Sequence, residues 1–207
     1  LSDAPASGAV VRPDVAAHFS FRKGSSLDDY PSSQMGAIAL WRQTVMDARW
    51  YAAQPEPQET DAVLAALAAQ LQGRIVVEAG DRNEVLRWVR LLDEFKLPAI
   101  VKGSGDEYAR LESIRQAGLP LLVPVSFPEA YDVEDPYDAQ EVSYARLKHW
   151  EMAPRNAHIL DTARVVFAFT THGRKDLKDL WKDLRTMVAL GLDSARAIEA
   201  FTTDPAR

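Results

Sequence analysis

The chain has 207 residues, of which 47% are hydrophobic, a formal charge of −6 and no cysteine. That length can bury a real core with one domain as the default expectation, and the hydrophobic share excludes wholesale disorder. Scattered Lys and Arg exclude the basic stripe that nucleic acid requires, and the missing cysteines exclude disulfides, thiolate zinc sites and thiol nucleophiles.

Residues 1–34 are rich in Pro, Gly, Ser and Asp and read as an irregular arm, with Val10-Val11 as a short edge-strand candidate. The first residue is Leu1 rather than Met, which reads as a processed product or an excerpt of a longer polypeptide. Ser32 or Ser33 suits an N-cap, and Met35, Ile38, Trp41, Val45, Ala48 and Tyr51 follow helical spacing, so a helix is predicted over 34–53. Pro55 and Pro57 mark a joint at 54–58, which separates an N-terminal arm and helix (1–57) from the rest (58–207). Thr60 is the expected cap of the next helix, with Val63, Leu64, Leu67, Ala68 and Leu71 on its apolar face and Gly73 as terminator.

From there the pattern alternates. Strand 75–78 is followed by a helix capped by Asp81 or Asn83 and closed before Pro98. Strand 99–102 leads through Gly103-Ser104-Gly105 to a helix over 106–117. Strand 121–125 contains Pro124, which cannot donate to a ladder and predicts an irregular or early end. Residues 127–140 read as a long loop, and helical turns over 140–162 break at Pro154. Strand 165–170 precedes a helix over 174–190 that should bury Leu177, Leu180, Trp181, Leu184 and Val188. Asp193 caps a last helix reaching Phe201.

This is an α/β chain of parallel βα units. Its four strand signals amount to about half of a TIM-like (β/α)8 barrel, which usually takes about 250 residues, or to an open doubly wound sheet. In such folds the reactive groups gather where strands hand over to loops, and here those residues are Glu78, Lys102, Ser126 and His172. Glu78 reads as a general base or a metal ligand, or else as the ion-pair partner of Lys102. Lys102 and Ser126 are candidates for contacting a small-molecule substrate. Gly103-Ser104-Gly105 before a helix start could cradle an anion on free N–H groups, although it lacks the ending of a phosphate-binding loop. His149 and His158 have no metal-ligand spacing and read as packing or surface residues, and the sequence offers His18 no nameable partner. The charged stretch from Arg174 to Asp183 reads as a solvated helix face laced by i,i+4 pairs.

Several stretches taken together resemble the amidohydrolase superfamily, in particular its imidazolonepropionase-like and related secreted members. They are Pro31-Ser32-Ser33-Gln34-Met35-Gly36 with Leu40-Trp41-Arg42-Gln43-Thr44 and Asp47-Ala48-Arg49-Trp50-Tyr51, then Val76-Val77-Glu78-Ala79-Gly80-Asp81-Arg82. Trp150-Glu151-Met152-Ala153-Pro154-Arg155-Asn156, Phe169-Thr170-Thr171-His172-Gly173 and Phe201-Thr202-Thr203-Asp204-Pro205-Ala206 continue the series. The resemblance implies the second half of a metal-dependent barrel that hydrolyses C–N bonds, with a divalent metal such as zinc activating water.

It also implies departures. No His-X-His pair occurs in the sequence, Glu78 stands where relatives place a ligand histidine, and His172 stands where they end the last strand with an aspartate. Glu78 and His172 are therefore the residues that would hold a metal, and His172 the one that would move a proton. The expected outcome is an unfinished site, with no cofactor in this segment and a structural or recognition role. The alternatives are an active hydrolase completed by residues outside the chain, and a small-anion-binding α/β module.

Half a barrel leaves sheet edges open, so the expected partner is the rest of a longer polypeptide or a second copy. No apolar run reaches the length of a membrane span and no signal peptide is visible, so no membrane partner is expected. The resemblance implies a periplasmic or secreted location, with the cytoplasm as the alternative.

Overall fold

Side-chain caps set most of the helix starts. In the computed structural model, which describes residues 15–22, 30–55, 59–174 and 176–206, the Ser33 hydroxyl accepts from the Gly36 N–H and opens helix α1 (Gln34–Ala53). Helix α2 (Ala62–Gln70) is capped by Asp61 rather than by the expected Thr60. The Asp61 carboxylate accepts from both Val63 and Leu64 N–H, each at 2.9 Å, and a full negative charge suits the positive helix end better than a hydroxyl. Asp81 caps α3 (Arg82–Phe95) in the same way, one carboxylate oxygen accepting from both the Asn83 and the Glu84 N–H.

Two compact units divide the chain, Leu1–Val76 and Val77–Arg207. The first contains strand β1 (Ala17–Ser20), α1 and α2. Strand β1 corrects the expectation of an irregular arm: the Ala17 N–H donates to the Arg74 C=O at 2.9 Å, a pairing no local pattern announces. The Val10-Val11 candidate lies outside the described residues. Helix α1 buries Trp41, Val45 and Ala48, whereas Met35 and Trp50 are exposed. Helix α2 buries none of its residues, and Val63 is 73% exposed, so the expected apolar face is only partly covered.

The strands are β2 (Ile75–Glu78), β3 (Ala99–Lys102), β4 (Leu121–Pro124) and β5 (Phe167–Thr170) after β1, and they follow chain order in one five-stranded sheet. The β3–β4 and β4–β5 ladders are parallel. Ile75, Val76 and Val77 are all buried, as expected of a strand covered on both faces. Strand β4 ends at Pro124, one residue short of the expected 125, and is regular up to that point: Pro124 pairs in register with Thr170, and the Val125 N–H still reaches the Thr170 C=O at 3.1 Å. The missing Pro124 N–H costs no ladder bond because it falls on the β3 side, beyond the last β3 partner, Lys102.

A 3-10 turn (Glu107–Arg110) precedes α4 (Leu111–Ala117), and the loop expected over 127–140 closes earlier, at α5 (Pro136–Glu141). Asp135 caps that helix and Pro136 takes its first turn, where a missing N–H does no harm. Helices α6 (Tyr144–Met152) and α7 (Asn156–Thr162) are joined by a 3-10 turn through Pro154, at the expected break.

Helix α8 (Leu180–Ala189) begins six residues later than the pattern suggests. It buries Leu184 and Met187, with Leu180 half-buried on the same i, i+4, i+7 face, and leaves Trp181 and Val188 exposed, as is Leu177 ahead of the helix. Asp193 caps α9 (Ser194–Glu199), as the sequence indicates.

Candidate functional site

Parallel strands place their C-terminal ends along one sheet edge, and each end carries a different chemistry. At the end of β2, the Glu78 carboxylate meets the Lys102 ammonium from the end of β3 at 2.9 Å. Lys102 is the more enclosed of the two, with 14% of its side chain exposed against 34% for Glu78. The Trp88 indole N–H donates to the Glu78 C=O at 2.9 Å and fixes α3 beneath this strand end. Of the two sequence readings of Glu78 and Lys102, the structure shows the ion pair.

His172 follows β5 and is exposed, its N–H donating to the Thr170 hydroxyl at 3.2 Å. Strands β3 and β4 lie between Glu78 and His172, which at ordinary strand spacing separates the two strand ends by about 14 Å. The two residues share one end of the sheet, on strands that are not neighbours. Among the described residues no group of three or more His, Asp or Glu side chains is placed to hold a metal ion.

Ser126, just past β4, is exposed and lines an open cleft of about 590 Å³ with Phe127, Pro128, Arg174 and Asp183. Arg174 organises this cleft. Its Nη1 donates to the Val125 C=O and to the Asp183 carboxylate, both at 2.5 Å, which ties the end of β4 to α8. With only 9% of its side chain exposed, Arg174 is a partly buried tether rather than part of a solvated charged face. A hollow of about 540 Å³ near the other ends of β3 and β4 is lined by Leu92, Leu97, Pro98 and Leu119, an end of such folds that serves stability rather than chemistry.

The glycine turn holds an anion that the chain itself supplies. Glu107 is fully buried, and its Oε1 accepts from the Ser104 N–H at 2.7 Å and the Gly105 N–H at 3.2 Å. Its Oε2 accepts from the Asn156 side-chain amide at 2.6 Å, while the Asn156 Oδ1 accepts from the Tyr108 N–H at 2.9 Å. Burial pushes the Glu107 carboxyl above its ordinary range, and these donors oppose the shift. An external anion at Gly103, Ser104 and Gly105 would have to displace this carboxylate. The next residue, Asp106, accepts from the Ser104 hydroxyl at 2.7 Å and pairs with Arg82 at 2.7 Å, so the turn is closed on both sides.

His149 and His158, read as packing or surface residues, both pack, whereas His18 is exposed on β1. His149 stacks on Tyr108 with ring centroids 6.2 Å apart, and Gly191 lies close against the His158 ring.

Glu107 and Asn156 escaped the sequence reading because they meet across 49 positions of chain. The available signal was an acidic residue two positions beyond a Gly-Ser-Gly turn, which local pattern reads as helix-start decoration. Arg174 escaped for a similar reason: its partner Val125 also lies 49 residues away.

No family model and no curated protein matches the chain. It is similar to the crystal structure of an amidohydrolase from Thermotoga maritima MSB8, with a TM-score of 0.61 and 16% sequence identity, over 85% of this chain and 45% of that one. The chain thus spans under half the length of that structure. Together with the parallel sheet in chain order, the likeness gives the fold: α/β, of the kind found in part of a TIM-like amidohydrolase barrel.

Proposed function

We propose that this chain is an amidohydrolase-like domain of a larger hydrolase acting on carbon–nitrogen bonds, and that the segment serves structure or recognition rather than metal-dependent turnover. The observation that carries this reading is the Glu78–Lys102 pair. Where the resemblance puts a metal ligand, the carboxylate already faces an ammonium. A divalent ion 4 Å from that ammonium would meet repulsion on the order of 8 kcal/mol at an effective dielectric of 20. A catalytic zinc needs about three protein ligands, and no described cluster offers them. The residues present therefore do not fit the metal that the resemblance implies.

The test is to equilibrate the purified protein with zinc, manganese or cobalt, remove free ion, and measure bound metal beside hydrolysis of N-acyl amino acids and cyclic amides. The expected result is no stoichiometric metal and no turnover above background. Stoichiometric metal that is lost in Glu78→Ala or His172→Ala would overturn the proposal.

A second reading, an active hydrolase completed by residues outside this chain, is supported by the coverage: the match takes in 45% of the structural neighbour, and more than half of that neighbour lies outside it. It predicts that a longer product of the same reading frame binds metal through Glu78 and His172. If the longer product binds metal independently of both residues, that reading fails.

A further inference from the structure

The outer edge of β5 is already bonded. Leu121 and Val125 donate to the C=O groups of Val166 and Thr170, so the even-numbered residues of this strand face β4 and Phe167 and Phe169 face away from it. An added parallel strand would place one residue against this edge, donating its N–H to the Phe167 C=O and accepting from the Phe169 N–H. Both of those groups are taken by the chain itself. The Arg196 Nη2 donates to the Phe167 C=O at 3.0 Å, and the Phe169 N–H donates to the Ala200 C=O at 2.8 Å.

Arg196 is firmly held. Its Nε donates to Asp161 at 3.1 Å, its Nη1 to Asp204, and its guanidinium lies 4.5 Å from the centre of the Phe167 ring. Phe201, directly after Ala200, packs on Phe169 with ring centroids 5.1 Å apart. The strand beneath needs such cover: Val165-Val166-Phe167-Ala168-Phe169-Thr170 is an uncharged, proline-free, strand-prone run of the kind that pairs with copies of itself when its edge is open.

We propose that α9 and the turn after it form an intramolecular edge cap, in which Arg196 and Ala200 take the place of an incoming strand residue and keep β5 from pairing with β5 of a second copy. The sheet is finished at this edge by the chain's own groups. A strand from any other polypeptide could extend it only after α9 is displaced. Asp161 and Asp204 hold the arginine in place, so the cap depends on an ion-pair network as well as on apolar packing.

The test combines amide exchange and sedimentation on the full chain, wild type and the variants Arg196→Gln and Asp204→Asn. In the wild type the Phe169 amide should be protected to the degree of the ladder amide of Val123. In Arg196→Gln it should exchange at least tenfold faster at low concentration. As concentration rises the variant should associate beyond the wild type, and Phe169 protection should return. Asp204→Asn leaves the bonds to Asp161 and Phe167 in place and should shift both readouts the same way by less, which keeps the test decisive if Arg196→Gln does not fold. The cap is refuted if the wild-type Phe169 amide exchanges freely. It is equally refuted if the folded variants sediment as wild type, or if they associate while Phe169 stays unprotected.

Discussion

Replacing Gly103 with alanine should destabilise the fold through the buried carboxylate, not through the backbone. Gly103 is not among the residues with positive φ, so alanine meets no conformational penalty there. A Cβ at this position would sit 2.1 Å from Glu107 Oε1 and 2.9 Å from its Cδ. Restoring ordinary contact requires the carboxylate to move by more than about 1 Å, given a usual closest approach near 3.4 Å. Glu107 is fully buried, so it has no solvent to move into. The shift breaks the bonds from Ser104 N–H at 2.7 Å and Gly105 N–H at 3.2 Å. Each such loss in a buried setting costs about 1–3 kcal/mol, so the loss of both should cost about 2–6 kcal/mol.

Urea unfolding followed by tryptophan fluorescence measures this directly, because Trp88 is fully buried in the same unit. For a chain of this size the midpoint of thermal unfolding should fall by roughly 5–15 °C. The decisive control is the double-mutant cycle with Glu107→Ala, which removes the atoms that clash. Against that background Gly103→Ala should cost under about 1 kcal/mol. A small effect in the wild type, or strict additivity in the cycle, would refute the reasoning.

Three further outcomes follow from the same geometry. Asn156→Asp places a second carboxylate 2.6 Å from that of Glu107 and should cost about 3 kcal/mol or more at pH 7; repulsion raises one folded-state pKa, so urea titrations should show part of the loss recovered as pH falls through that value. A double-mutant cycle of Glu78→Gln with Lys102→Met, read by chemical unfolding, should give a coupling of about 1–2 kcal/mol for this partly enclosed pair, and a coupling within about 0.3 kcal/mol of zero would show that the pair carries no energy. Gly191→Ala should cost about 1–3 kcal/mol in thermal unfolding, since φ there is +114° and the new methyl would lie 3.1 Å from the His158 ring.

The candidate site was legible in the sequence only where its chemistry sits at a strand end. Runs such as Ile75-Val76-Val77 and Leu121-Leu122-Val123 are short, apolar and bounded by turn residues, and they mark strands wherever they occur. From them follow the positions of Glu78, Lys102, Ser126 and His172, and even the ion pair, since neighbouring parallel strands set Glu78 beside Lys102. Which strands neighbour one another was not legible, because the same βα units can be ordered as a barrel segment or as a doubly wound sheet. Nor was the identity of the anion in the glycine turn, since Glu107 reads locally as one more acidic residue at a helix start.

What the sequence determined by itself was the set of local elements: the cap at Asp193, caps narrowed to Ser32 or Ser33 and to Asp81 or Asn83, the break at Pro154, and the alternation of strand and helix. These rest on contacts between residues two to four positions apart, whose energetics travel with the sequence. Tertiary structure decided the rest. It paired Ala17 with Arg74, buried Met187 and left Trp181 and Val188 exposed, buried Glu107 against Asn156, and set Arg196 on the edge of β5. Each of those choices depends on which distant group is available to satisfy a buried donor, acceptor or apolar face, and that is fixed only when the whole chain has closed on itself.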